Sequence, residues 1–314
     1  MFVLGTSDRE ARVDVQHPRR RRWGAARTSV LAAAVAIAAT GCSAEAQRGW
    51  LPGNDDGTQV TNQTERVTNL WVGSWIAALL VGVLVWGLIL WCVAVYRKRK
   101  DDDVLPVQLR YHVPLEIMYT VIPVLMIGVF FAYTARDMSA LEDTSAEPDL
   151  TVEVYAKQWS WDFNYLDEEV WDTGVHVDDI GAPGNPETLP TLYLPVGERV
   201  EFHLRSRDVI HSFWVPAFLY KKDMFPQDIR VFQVVPTAEG VYAGKCAEFC
   251  GEHHSGMLFN VAVVSQEEYD AHIESLRDAG QTGRLGPELD RDQSGGDDNA
   301  IPSAEGGAVE GTED

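Results

Sequence analysis

The feature that most constrains this chain is a charge-free apolar run from Leu70 to Val95. A run of this length and composition is stable as a helix crossing a bilayer, because only a helix satisfies every backbone polar group in lipid. Trp71, Trp75, Trp86 and Trp91 fall mostly towards its ends, where aromatic rings anchor in the headgroup layer. The basic cluster Arg97-Lys98-Arg99-Lys100 follows and marks the cytoplasmic side. A second apolar run, Pro114 to Thr134, is closed by Arg136 and returns the chain to the outside. Residues 67–136 therefore read as a transmembrane hairpin with spans at about 70–95 and 114–134. Cys92 reads as a small packing residue of the first span, and Pro123 as a kink in the second. Glu116 has two readings. A carboxylate within a span is a functional candidate, but this one lies within a turn of the cytoplasmic end and can reach water.

Ahead of the hairpin, residues 1–27 carry seven arginines against three acids, and the short apolar stretch Val30–Ala39 follows. A basic region, a short apolar core and small residues describe a secretory signal peptide over residues 1–41. The small residues before Cys42 are similar to a bacterial lipobox, so Cys42 is a candidate for lipidation. Residues 42–66 are rich in Gly, Asn, Asp, Gln and Thr and read as an extracytoplasmic tether.

Beyond the hairpin the period changes from helical to alternating. Thr151–Tyr155 and Arg199–Arg205 alternate, Gln233–Val235 and Met257–Val264 add strands, and Pro183, Pro190, Pro195, Pro216, Pro226 and Pro236 punctuate turns. This predicts an exported antiparallel β-sandwich or barrel over residues 137–277. It ends in a helix with a Ser265/Glu268 capping box and a Tyr269, Ile273, Leu276 stripe. Residues 278–314 carry ten acids, two bases and no periodicity, and read as a disordered acidic tail. The whole is an α+β membrane protein. Its 47 acids against 26 Lys and Arg argue against a nucleic-acid partner.

The chemistry is concentrated in Cys246-Ala-Glu-Phe-Cys250-Gly-Glu-His-His254-Ser-Gly-Met257, with His211 arriving from His211-Ser-Phe-Trp-Val-Pro216. Thiolate, imidazole and thioether together form the soft set that selects copper. A structural zinc site has no use for the thioether. A Cys246–Cys250 disulfide is the alternative, but it closes a very short loop and leaves His211, His254 and Met257 unexplained. A mononuclear blue-copper site uses one cysteine, so the second suggests two coppers bridged by two thiolates.

This motif, preceded by His-Ser-Phe-x-Val-Pro, resembles subunit II of the haem-copper cytochrome c oxidases, over roughly residues 66–276. The resemblance implies a cupredoxin-like domain holding a dinuclear copper A centre. Its ligands would be His211, Cys246, the Glu248 backbone carbonyl, Cys250, His254 and Met257, with His253 outside the set. It also implies a magnesium ion on the Glu248 carboxylate, shared with subunit I, and places the haems in subunit I. Trp159 matches the tryptophan through which the donor passes its electron, and Glu116 the cytoplasmic mouth of a proton path. Implied partners are oxidase subunits I and III and cytochrome c, soluble or membrane-tethered, within a supercomplex with the cytochrome bc complex. The setting would be a bacterial cell membrane, with the copper domain outside.

Residues 137–277 carry 26 acids against 9 bases, so the outer face should attract a basic protein. Asp208, Asp162, Asp167, Glu168 and Glu169 are the candidate docking acids. A membrane-tethered copper carrier would also explain the soft ligands, but not Trp159, Glu116 and the hairpin together. Quinol oxidase subunits of the same fold typically lack the copper ligands. A nitrous oxide reductase would need a further histidine-rich cluster, and the chain has eight histidines.

Overall fold

The computed structural model of the chain describes residues 43–98, 108–175 and 189–291. The signal-peptide segment, Cys42, residues 99–107, residues 176–188 and the tail beyond 291 lie outside the described residues. The chain divides into two compact units, residues 1–47 and 48–314. Within the first, Ala44–Gln47 forms one helical turn.

The second unit opens with two long helices, α1 (Thr64–Val95) and α2 (Val113–Leu141), both long and apolar enough to cross a membrane. Their apolar side chains, such as Leu80 and Phe131, are exposed within this chain, as surfaces meant for lipid or a partner subunit are. Pro114 occupies the first turn of α2, where its missing N–H costs nothing, and His112 caps that turn by accepting from the Leu115 amide at 3.3 Å. Helix α2 runs on through Pro123 and, at its far end, seven residues past Thr134. There Arg66 and Arg136 both pair with the buried Asp137.

The sandwich has two five-stranded sheets. One is ordered β3-β2-β1-β5-β8, from β1 (Leu150–Lys157), β2 (Ser160–Tyr165), β3 (Val170–Thr173), β5 (Val200–Ser206) and β8 (Arg230–Val234). The other is β4-β10-β9-β6-β7, from β4 (Thr191–Pro195), β6 (His211–Val215), β7 (Tyr220–Met224), β9 (Gly240–Cys246) and β10 (Leu258–Val264). The pairings are antiparallel except β1 with β5 and β4 with β10. Between the sheets lie Trp161, Phe163, Phe202, Phe213, Phe232 and Phe259, all buried and in mutual ring contact. Helix α3 (Gln266–Asp278) is capped by the Ser265 hydroxyl accepting from the Glu268 amide, and buries the expected Tyr269, Ile273 and Leu276.

Two segments read as free from the sequence are built into the domain. In the tether, Thr61 bridges to Pro236, Asn62 exchanges hydrogen bonds with Val235, and Val60 and Thr61 are buried. At the other end, residues 281–291 lie hydrogen-bonded across β3, β2 and β1. The acidic composition concealed this order, because Asp290 here and Glu153 and Asp162 beneath are ion-paired with arginines.

Candidate metal centre

The cluster sits at one end of the second sheet. Strand β6 pairs with β9 through Phe213 opposite Cys246, which brings His211, at the start of β6, beside the end of β9. The Cys246 amide donates to the Met257 carbonyl at 3.0 Å and closes the loop into β10. A short helical turn, His254–Gly256, then turns His254 and Met257 back towards the thiols.

Both thiols are free, with their sulfurs 3.8 Å apart, so the disulfide alternative fails. His211 Nδ1 lies 3.7 Å from the Cys246 sulfur, and His254 Nδ1 3.6 Å from that of Cys250. The Glu248 carbonyl oxygen is 3.3 Å from the Cys246 sulfur, and the Met257 sulfur 3.8 Å from that of Cys250. Ligand atoms of His211, Cys246 and Cys250 all fall within 4.8 Å of one another. The donors thus distribute over two sulfurs, each with its own imidazole and one weaker donor. That is a fit for two soft ions sharing two thiolates.

Burial raises the Cys246 thiol, yet hydrogen bonds from His211 and the backbone of Ser212 and Glu248 outweigh it and bring the group down to about 7. Burial and the neighbouring Cys246 push Cys250 up to about 12. The metal-free pair therefore holds one negative charge readily and resists a second. Bound cations would supply the compensation that makes both sulfurs thiolates.

Asp208 orients His211. Its carboxylate accepts from His211 Nε2 at 2.8 Å, from the Gln158 amide at 2.7 Å and from the Val209 amide at 2.7 Å. Burial raises its pKa, but these donors hold it below the usual carboxylate value. Burial lowers the His211 imidazole, but Asp208 and Cys246 outweigh it and raise the group. With Nε2 engaged, Nδ1 is the nitrogen presented to Cys246.

Trp159 covers the cluster from outside, with Nε1 donating to the Cys250 carbonyl at 3.3 Å. Gly251 makes room for it: its φ is +127°, and a Cβ there would lie 2.8 Å from Trp159 Cζ2. His253 packs against the Trp159 ring with centroids 4.7 Å apart. Trp161 and Phe163 are core, and β2 is buried along its whole length. The sequence reading passed over Gln158, whose Nε2 donates to the Cys250 carbonyl at 2.8 Å. Its adjacency to Trp159 was the only signal.

The docking acids do not form a patch. Asp208 is turned inward to His211, with 4% of its side chain exposed. Asp162 is buried and bound by Lys157, Thr173 and Arg207. Asp167, Glu168 and Glu169 follow the far end of β2, about 20 Å of strand from Trp159. There Asp167 accepts from the Thr151 amide and Glu168 pairs with Arg277. Nearness in sequence misled here, because a strand carries its two ends to opposite poles of the domain. Glu116, at the other end of the chain's membrane segment, accepts from the His112 amide at 2.9 Å and so helps cap α2. The Glu248 side chain is exposed.

Residues 150–264 match the family model described as cytochrome c oxidase subunit II, periplasmic domain. A probable cytochrome c oxidase subunit 2 of Streptomyces avermitilis is 45% identical over 306 residues, covering 88% of this chain and 92% of that protein. Its counterpart in Streptomyces coelicolor is 44% identical with the same coverage. The chain belongs to the cytochrome c oxidase subunit II family. A further relative, cytochrome c oxidase subunit 2 of Mycobacterium bovis, is 33% identical, covering 78% of this chain and 80% of that protein. As a subunit II, the chain serves the entry of electrons into a cytochrome c oxidase. Its two apolar helices and periplasmic-type domain fit a membrane subunit that assembles with other oxidase subunits.

Proposed function

We propose that the chain accepts electrons from cytochrome c at a dinuclear copper A centre and relays them to the haem-bearing subunit I. The observation that carries this reading is the pairing of two free thiols 3.8 Å apart, each with its own imidazole nitrogen within 3.7 Å. The ligands are His211, Cys246, the Glu248 carbonyl, Cys250, His254 and Met257. Copper held there supplies one-electron storage shared over two thiolates. The chain's own residues do the rest. Burial of His211, Cys246, Cys250 and Met257 excludes water, and strands β6 and β9 fix the donor positions so that little need move on oxidation or reduction. Asp208 locks the His211 ring, and Trp159 reaches from the surface to the Cys250 carbonyl as the path for the incoming electron. The Glu248 carboxylate is free to hold the magnesium ion against subunit I.

The same reading extends to the hairpin. Both helices span the membrane, with the basic loop inside and the sandwich outside, and Cys42 is lipidated after removal of residues 1–41. Glu116 serves as the entrance to a proton path. The partners are subunits I and III and, as donor, cytochrome c, soluble or tethered, in a supercomplex with the cytochrome bc complex. A copper carrier is the weaker reading, since a transfer site has to open to its partner and this one is buried beneath Trp159.

The test is copper content and electron paramagnetic resonance of the purified, oxidised subunit. Two coppers per chain with a seven-line hyperfine pattern are expected. A four-line pattern from one copper, or none bound, would overturn the centre.

A further inference from the structure

The stretch Gln281–Arg291 has no regular secondary structure beyond one short turn, Pro287–Leu289, yet it is bonded to the sandwich along most of its length. The Gln281 carbonyl accepts from the Trp171 amide, and the Gly283 amide donates to Glu169. Arg284 makes a two-pronged contact with Glu153, at 2.7 and 2.6 Å. Leu285 exchanges hydrogen bonds with the Asn164 side chain. Glu153 and Asn164 are fully buried polar groups on the outward side of the sheet, and the covering stretch supplies the hydrogen bonds that their burial requires.

The stretch ends at the corner between β1 and β2. Arg207, with 5% of its side chain exposed, binds Asp162 and also donates to the Leu285 and Gly286 carbonyls and to Asp290. Its own carbonyl accepts from the Arg291 amide at 2.8 Å. Arg291 Nη1 then donates to Gln158 Oε1 at 2.8 Å. Gln158 is a hub. Its Nε2 holds the Cys250 carbonyl, and its amide holds the carboxylate that orients His211.

We propose that Gln281–Arg291 is a brace for the electron-uptake corner, and that Arg291 is a positioning residue acting through Gln158 on Trp159 and the Cys250 carbonyl. With the Gln158 oxygen held by Arg291, the side-chain amide has one orientation, nitrogen towards Cys250. Without Arg291 the amide can rotate, and the peptide oxygen beside the thiolate loses a fixed donor. Such outer hydrogen bonds tune a metal centre without ligating it. The functional part of this inference rests on the copper A reading above; the mechanical part does not.

The experiment uses the full chain purified within its oxidase, as Arg291→Ala, Arg291→Lys and two truncations, one after Gly280 and one after Arg291. Hydrogen exchange is followed at residues 157–159 and at β10, with and without copper. Arg291→Ala is expected to speed exchange at the corner about fivefold, the weight of one net hydrogen bond, while β10 is unchanged. Arg291→Lys should restore part of the protection. Truncation after Arg291 should behave as the parent, and truncation after Gly280 should lose protection at the corner. In the copper-loaded protein, Arg291→Ala should alter the hyperfine spectrum and the reduction potential. Unchanged exchange at 157–159, a rise shared with β10, or an unaltered spectrum and potential would overturn the proposal. A parent chain without a copper A signal would instead sink the copper reading, leaving the exchange comparison to judge the brace alone.

Discussion

At the scale of single residues, the centre depends on which neighbours surround the ligands as much as on the ligands. Gly251 shows this most directly. Its left-handed backbone and the contact its missing Cβ would make with Trp159 are two separate requirements for glycine. Gly251→Ala is expected to displace the Trp159 ring and slow electron uptake at least tenfold, with the copper ligands all present. Stopped-flow reduction of the centre by cytochrome c would measure it, and an unchanged rate would remove Trp159 from the path. The cluster of soft donors at 246–257 was legible from its spacing along one loop, and the fold brings His211, 35 positions upstream of Cys246, beside it. The roles of Asp208 and Asp162 were not, because whether a carboxylate faces solvent or a buried cation is decided by groups elsewhere in the chain.

At the scale of elements, α3 carries a titratable group whose environment the helix dictates. His272 stacks on Tyr193, with centroids 3.8 Å apart, and desolvation by burial lowers its pKa from 6.5 to about 4. The folded state therefore favours the neutral ring. Below pH 6.5 the unfolded chain binds this proton and the folded chain does not, so stability falls as pH drops towards 4. The contribution is fully present above pH 6.5. Thermal melts of the subunit at pH 7 and pH 5 should show this loss, and His272→Phe, which keeps the stack on Tyr193, should flatten it. An equal loss in that variant would assign the pH dependence to other groups. The helix itself was readable in advance from its capping box and stripe. The sheet order was not, since alternation names a strand without naming its neighbours.

At the scale of the whole molecule, the proposed function gives the sandwich an electron to carry and the hairpin a proton. Glu116 is where the second can be tested. Because its carboxylate also caps α2, removing the side chain would confuse two roles. Glu116→Gln keeps the acceptor for the His112 amide and abolishes the titratable proton. It is expected to slow proton uptake and oxidase turnover several-fold in the assembled complex while the copper spectrum stays unchanged. Full turnover would leave Glu116 as a helix cap only. The acidic balance of the exported part is likewise a property of the whole. The acids singled out near Trp159 in sequence are buried or distant from it in space, so net charge could indicate attraction to a basic partner without locating the patch.

What the sequence determined alone was everything set by local composition and spacing: the two long apolar helices, the β-rich domain, the capped helix and the soft-donor motif. These follow from chain-local physics, since hydrophobic length, alternation and ligand spacing act over a few to a few dozen residues. The tertiary structure alone decided which acids lie buried, that 60–62 and 281–291 are sewn to the sandwich, and that Gln158 joins Arg291 to the centre. The last two rest on contacts between residues more than a hundred positions apart, such as Arg284 with Glu153 and Arg291 with Gln158. An acidic, glycine-rich stretch looks disordered until the buried partners that neutralise it are brought alongside, and only the fold brings them there.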